Sequence, residues 1–447
     1  MSFAEQKNEI RSRIFSALNA ARGALSVSFP RLPATAFETL AASPDSGLRF
    51  FFENEKKGVA VAAFSSSVPD NVFPRAHFRE LKKIFPRKRT EISVADDGMR
   101  VPAPKIFAVG NFENPDEVFA TLPVWQLSRE GNFSRLCAHV FVAPADAART
   151  ADTLVEEFFH FKKIAETPIA PCALPSLVSL GEVGGDRYST RGVADALAEI
   201  DAGNFEKIVL ARAKDFSVSE TKNFFAGAVI PALRERFLKS ECTIFFVADG
   251  TRECVGASPE TLARVVGSAL ETEALAGTAA ANASPDEFLR DEKESREHRF
   301  VLDFIVEKLR ALGLAPRFSA SPETLLLPNV RHLRTPIFAE IPDGKIGIGD
   351  IVAALHPTPA MCGIPADAAR RFIAKTESFR RGIFSSPVGF IEAGGNGFFA
   401  VAIRCAEIFG KKIRLYGASG IVRGSRPEKE SAEIDAKISA MTEIFAR

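Results

Sequence analysis

The chain has 447 residues, 46% of them hydrophobic and 25% charged, an ordinary globular composition with length enough for two or three domains. Its 57 basic and 56 acidic side chains leave a formal net charge of +1, so no whole-molecule electrostatic case exists for nucleic acid or an anionic membrane. The polar opening decapeptide lacks the apolar core of a signal peptide, and no run approaches the ~18 apolar residues of a spanning helix.

A cytoplasmic protein is therefore expected. The six cysteines (Cys137, Cys172, Cys242, Cys254, Cys362, Cys405) show no CxxC or Cys/His metal spacing, and buried free thiols are the expectation.

Residues 1 to about 160 read as mixed α/β, with a helical opening and strands predicted over 48–52, 58–64 and 136–142. A Pro-rich connector over 167–185 precedes a helix over 193–200. Next comes Glu206-Lys207-Ile208-Val209-Leu210-Ala211-Arg212, a lone lysine in an apolar run. Strand alternation puts Lys207, Val209 and Ala211 on one face. An ammonium there must be paired, desolvated or open to a cleft, and a desolvated lysine can serve as a general base. On its own it also reads as a strand-end lysine reaching solvent.

Further on, Gly256-Ala257-Ser258-Pro259-Glu260 places a glutamate about fifty residues after the lysine. Strands are predicted over 242–248, 398–404 and 412–416, a long amphipathic helix over 286–312, and a closing helix over 428–447. The long helix carries Glu294 and Glu297 beside His298; the closing helix carries Glu430, Glu433 and Lys437. Spacings of three, four and seven put each set on one helix face. Two such faces brought together offer the hard oxygen donors that suit Mg²⁺, although ExxE on a solvated helix is common. Arg404 ends an apolar strand, where a guanidinium grips an anion or an ion-pair partner. Gly417-Ala418-Ser419-Gly420 follows directly after a predicted strand and reads as a tight turn or as bare backbone able to cradle a carboxylate.

In this order the segments resemble the chorismate-utilising enzymes, and most closely the isochorismate synthases of menaquinone and siderophore pathways. The matching stretches are 206–212, 256–262, Ala274-Leu275-Ala276-Gly277-Thr278, 291–298, Arg331-His332-Leu333, and Leu355-His356-Pro357-Thr358-Pro359-Ala360. They continue through Ser386-Pro387-Val388-Gly389-Phe390, 401–404 and 420–437. The resemblance implies an α/β (α+β) fold of two orthogonally stacked antiparallel sheets flanked by helices, with the active site in the cleft between them. It implies a variable N-terminal α/β part over 1–165, packed on the same fold, and a chorismate-binding catalytic region over 185–447.

Carried over by position, the resemblance makes Lys207 the base that activates water for attack at C2 of chorismate, and Glu260 the acid that protonates the departing C4 hydroxyl. Glu294, Glu297, Glu430 and Glu433 would surround Mg²⁺. Arg404, the backbone of Ala418, Ser419 and Gly420, and Lys437 would hold the enolpyruvyl carboxylate, while Gly277, Thr278 and His332 line the ring pocket. Glu271 and Glu273 compete with Glu260 for the acid role. Lysine at 207 argues against the ammonia-using branches and their glutaminase partner. Ala360, where other branches usually carry threonine, favours isomerisation over the salicylate-forming lyase reaction. Phe384 in place of a common tyrosine, Ser385-Ser386, Ala418, Arg426 and Ser431 depart from the pattern. A non-catalytic chorismate binder stays open on Phe384 and Ala418.

Overall fold

The computed structural model of the chain describes residues 2–21, 23–85, 89–94, 101–140, 146–167, 174–185, 188–218, 224–248, 252–342 and 346–446. Among these, strands form two sheets, one of fourteen and one of ten, and helices complete an α+β architecture. Pairing is antiparallel except where Ala24–Ser28 runs parallel to Arg89–Ser93.

Alternation explains how the sheets meet. In Leu48–Asn54, Phe50 and Phe52 point into a core shared with Phe107, Val388 and Phe399 of the second sheet. Phe51 points the other way, into a core with the helices Ala36–Ala42 and Ala147–Glu166. The lysine strand, Lys207–Val218, does the same: Ile208 and Leu210 face the helices, Ala211 and Ala213 the other sheet. A strand buried on both sides reads as a near-continuous apolar run, which is why the lone lysine stood out.

The first part of the chain contributes strands to both sheets. Leu48–Asn54 pairs with Thr243–Ala248, and Lys105–Gly110 pairs with Pro387–Glu392. An ion pair of 2.7 Å between Lys57 and Glu271 also joins the two regions.

Three predicted elements differ in extent. The helix expected over 286–312 is two, Pro285–Leu289 and Glu292–Ala311. Asp291 caps the second by accepting from the amides of Lys293 and Glu294, so its carboxylate restarts the helix instead of continuing the first. The strand over 398–404 is Gly397–Val401, leaving Arg404 outside it with φ of +50°. The strand over 412–416 runs on to Val422 and pairs with the lysine strand from Lys207 to Ser217, so 417–420 is neither turn nor loop. Small residues weaken a strand signal locally, but long cross-strand pairing outweighs that.

The strand expected over 136–142 is Phe133–Val140; residues 141 and 142, Cys172 and part of the 167–185 connector lie outside the described residues. Leu177–Glu182 within that connector forms an edge strand on the lysine strand. The other five cysteines are buried and free. Among the described residues no helix is long and apolar enough to cross a membrane.

Candidate active site

Lys207 opens the lysine strand, in register with Ile364 on one side and Val422 on the other. Its side chain is fully buried and its Nζ lies 3.1 Å from Glu297 Oε1. The closeness depends on Gly420 in the adjoining strand, where an added Cβ would sit 2.0 Å from Glu297 Oε1 and 3.1 Å from Lys207 Cε. Any side chain at 420 would drive the carboxylate off the amine. The lysine is thus paired, not reaching solvent.

Glu260 occupies the short link between the strands Glu253–Ser258 and Thr261–Val266, its amide donating to Ser258 Oγ at 3.2 Å. Only 3% of it is exposed, and burial, reinforced by the nearby charge of Glu273, pushes its carboxyl up to about 8. Lys207, Arg404 and Lys437 oppose that shift without cancelling it. At neutral pH Glu260 therefore holds a proton it can give away.

Its two competitors line a different pocket, together with Lys57, Glu241 and Arg334. Glu271 pairs with Lys57 and Arg264. Glu273 accepts the Thr261 amide at 2.6 Å, which secures the link carrying Glu260.

Arg404 is buried at 7% exposure and donates to His332 Nε2 at 3.0 Å. With Nε2 accepting, the imidazole proton sits on Nδ1, 3.0 Å from the Gly277 carbonyl. Burial, and then Arg404, hold the His332 pKa well below its ordinary value, so the ring is neutral. Burial draws Arg404 down to about 10, which leaves it a cation at neutral pH. Gly277, at φ of +80°, packs its Cα against the helix 292–311, where a Cβ would meet the Glu294 carbonyl at 3.2 Å. The next amide, of Thr278, donates to Glu294 Oε2 at 2.8 Å.

The acidic faces of the two helices do meet. Lys293 Nζ lies between them, 3.0 Å from Glu294, 3.6 Å from Glu297 and 3.2 Å from Glu430. Glu433 pairs with Lys437, whose Nζ also donates to the Ala418 carbonyl at 2.7 Å. Burial and then Glu297 raise the Glu294 pKa; burial likewise raises that of Glu430.

Among the described residues no three His, Cys, Asp or Glu side chains converge as a ready-made metal cage. The donor chemistry nevertheless fits a hard divalent cation. All four groups are carboxylates, and Glu430 Oε2 is buried without a hydrogen-bond partner. His298, next to Glu297, turns away to Thr335 at 2.8 Å and the Ala276 carbonyl at 3.3 Å.

With this geometry in place, comparison with known proteins decides the family. The family model described as "Chorismate binding enzyme" matches residues 16–446. The chain belongs to the chorismate-binding enzymes.

It is 38% identical over 267 residues to the isochorismate synthase MenF of Escherichia coli K12, a match covering 56% of this chain and 58% of that one. It is 33% identical over 265 residues to the isochorismate synthase DhbC of Bacillus subtilis 168, covering 56% and 65%. The chain thus spans roughly three fifths of the length of these curated relatives. The solved structure of the menaquinone-specific isochorismate synthase MenF from Escherichia coli matches with a TM-score of 0.78 at 25% identity, over 98% of this chain and 100% of that one. Anthranilate synthase component I of Streptococcus pneumoniae matches with a TM-score of 0.68 at 17% identity, over 88% and 92%, a likeness of fold.

In this chorismate-binding enzyme, Glu260, Gly277, Thr278, Glu297, His332, Ala360, Arg404, Ala418, Gly420 and Lys437 line one cavity of about 50 Å³. The Ser419 side chain is not among the lining groups. Strand alternation turns it to the opposite face, where its hydroxyl meets Tyr188 OH at 2.6 Å.

Sequence reasoning passed over Tyr416 and Met361, which also line the cavity. Phe384 stacks on Tyr416 at 4.7 Å, and the tyrosine hydroxyl donates to Glu407. It also passed over Arg381, fully buried, which donates to the carbonyls of Val209 at 2.8 Å and Met361 at 2.7 Å and pins the lysine strand to that wall. The scarcity of tyrosine, two in the whole chain, was the one signal for Tyr416. Nothing local marks Arg381.

Proposed function

We propose that the chain is a Mg²⁺-dependent isochorismate synthase that isomerises chorismate to isochorismate for menaquinone or siderophore biosynthesis. The observation carrying this reading is the buried, proton-holding carboxyl of Glu260 in one cavity with Arg404, Lys437 and Glu297, the last paired at 3.1 Å with the buried amine of Lys207. Moving a hydroxyl from C4 to C2 needs a base for the incoming water and an acid for the departing hydroxyl.

In this reading Lys207 accepts a proton from water as its oxygen bonds to C2. The ring double bond shifts, and the C4–O bond breaks as Glu260 protonates the leaving oxygen. One water enters and one leaves, so the reaction is an isomerisation without a redox partner. Arg404 and Lys437 hold the enolpyruvyl carboxylate, with the backbone of Ala418, Ser419 and Gly420 beside them. Gly277, Thr278, His332 and Ala360 shape the ring pocket. Glu294, Glu297, Glu430 and Glu433 would hold Mg²⁺, which when bound anchors the ring carboxylate by charge. The nucleophile is water, so no glutaminase partner is required. The cytoplasm is the proposed compartment, consistent with five buried free thiols.

Purified protein given chorismate and Mg²⁺ is expected to yield isochorismate on chromatography, with the yield lost in EDTA and restored by excess Mg²⁺. Fluorescent salicylate with stoichiometric pyruvate would replace this reading by the lyase. Calorimetric binding of chorismate without any product would replace it by the non-catalytic binder.

A further inference from the structure

The carboxylate cluster already contains a cation of its own. Three lysines enter it. Lys207 is fully buried against Glu297, and Lys437 is tied to both Glu433 and the Ala418 carbonyl. Lys293 differs from both. It spans Glu294, Glu297 and Glu430, carboxylates from two helices, at 3.0 to 3.6 Å, which places its Nζ between the groups that would surround a metal. Its side chain is 22% exposed, against 0% for Lys207 and 11% for Lys437, and so it has the most open route to solvent. Its backbone does not need to follow, because the Lys293 amide is fixed by the Asp291 cap.

Formal charge points the same way. Exchanging the Lys293 ammonium for a divalent cation brings one more positive charge to a cluster of carboxylates whose buried members, Glu294 and Glu430, burial otherwise pushes towards the neutral form. An ammonium and a metal at the centre of the same three carboxylates repel each other at low dielectric, so the two exclude one another. The second oxygen of Glu430, buried and unpartnered, is a ligand atom that Lys293 leaves unused.

We propose that Lys293 is an internal counter-cation that a divalent metal must displace, so that the metal affinity of this chain is set by an exchange of ammonium for metal. The inference rests on the metal site given under the proposed function. The lysine-in arrangement holds the carboxylates together before metal arrives and taxes metal binding by its own population. Displaced, the Lys293 side chain extends to solvent along the face of the 292–311 helix.

The test is direct binding of Mn²⁺, read as the loss of its free electron paramagnetic resonance signal, to wild-type protein, Lys293→Met and Glu430→Gln. Lys293→Met is expected to bind Mn²⁺ roughly tenfold more tightly than wild type, and Glu430→Gln more weakly. Thermal melting supplies a second readout that does not require a fully stable apo variant. Lys293→Met should melt below wild type without metal and gain more from saturating Mn²⁺. Equal or weaker binding by Lys293→Met, with Glu430→Gln still weakened, would overturn the exchange while leaving the metal site intact. Binding unaffected by Glu430→Gln would overturn the site itself, and the exchange with it.

Discussion

Lys207→Ala is expected to lower isochorismate formation by roughly 10²–10⁴-fold, the usual worth of a positioned general base. Alanine removes the amine that the strand pairing of Lys207 with Val422 sets 3.1 Å from Glu297 at the cavity. Lys293 and Lys437 are each committed to other carboxylates, and Arg404 stays protonated at neutral pH. The fold should survive, because Glu297 keeps a cationic neighbour in Lys293 at 3.6 Å. Steady-state rates by product chromatography, with circular dichroism to verify folding, provide the check. Full activity in the alanine variant would remove Lys207 from the base role.

Glu260 yields the second large effect and a pH signature. Glu260→Gln cannot donate a proton and should lose roughly 10²–10⁴-fold in turnover. In the wild type the carboxyl, pushed up to about 8 by burial and by Glu273, is protonated at pH 7. The group must be protonated to act, so kcat/KM should fall tenfold per pH unit above about 8, and that limb should vanish in the residual activity of Glu260→Gln. Stability follows the same proton. The folded carboxyl titrates near 8 and the unfolded one near 4.5, so the folded state holds a proton between those values that the unfolded chain has lost. Its contribution is full below about 4.5 and declines as pH rises through about 8; Glu260→Gln should flatten that slope in denaturant titrations. An activity limb unchanged by the substitution would assign it to another group.

How much of this was legible in the chain alone depended on length scale. Lys207 could be found because a charge inside a doubly buried strand breaks an otherwise apolar run, and strand alternation correctly placed Val209 on its cleft side. Helical spacing put Glu294 with Glu297, and Glu430 with Glu433, on single helix faces, which survives even though the long helix is broken at Asp291. What failed needed partners distant in sequence. Gly417 to Val422 looks like a break because small residues carry little strand preference, yet eleven paired positions with the lysine strand hold it extended. For 418–420 the expectation concerned the backbone; the period of two sends only the Ser419 hydroxyl away, to Tyr188. Lys293 passed unnoticed beside two glutamates, since lysine next to glutamate is the commonest pattern on a solvated helix. Only the approach of the closing helix, bringing Glu430, turns it into the centre of a cluster.

The most direct single measurement is mass spectrometry of the product formed from chorismate in ¹⁸O-enriched water. An amine-activated water and a carboxyl-protonated leaving group require isochorismate carrying one heavy oxygen, at its C2 hydroxyl, with no pyruvate released. Unlabelled isochorismate, which would mean the original hydroxyl had migrated, would contradict the pairing of Lys207 with Glu260 as base and acid.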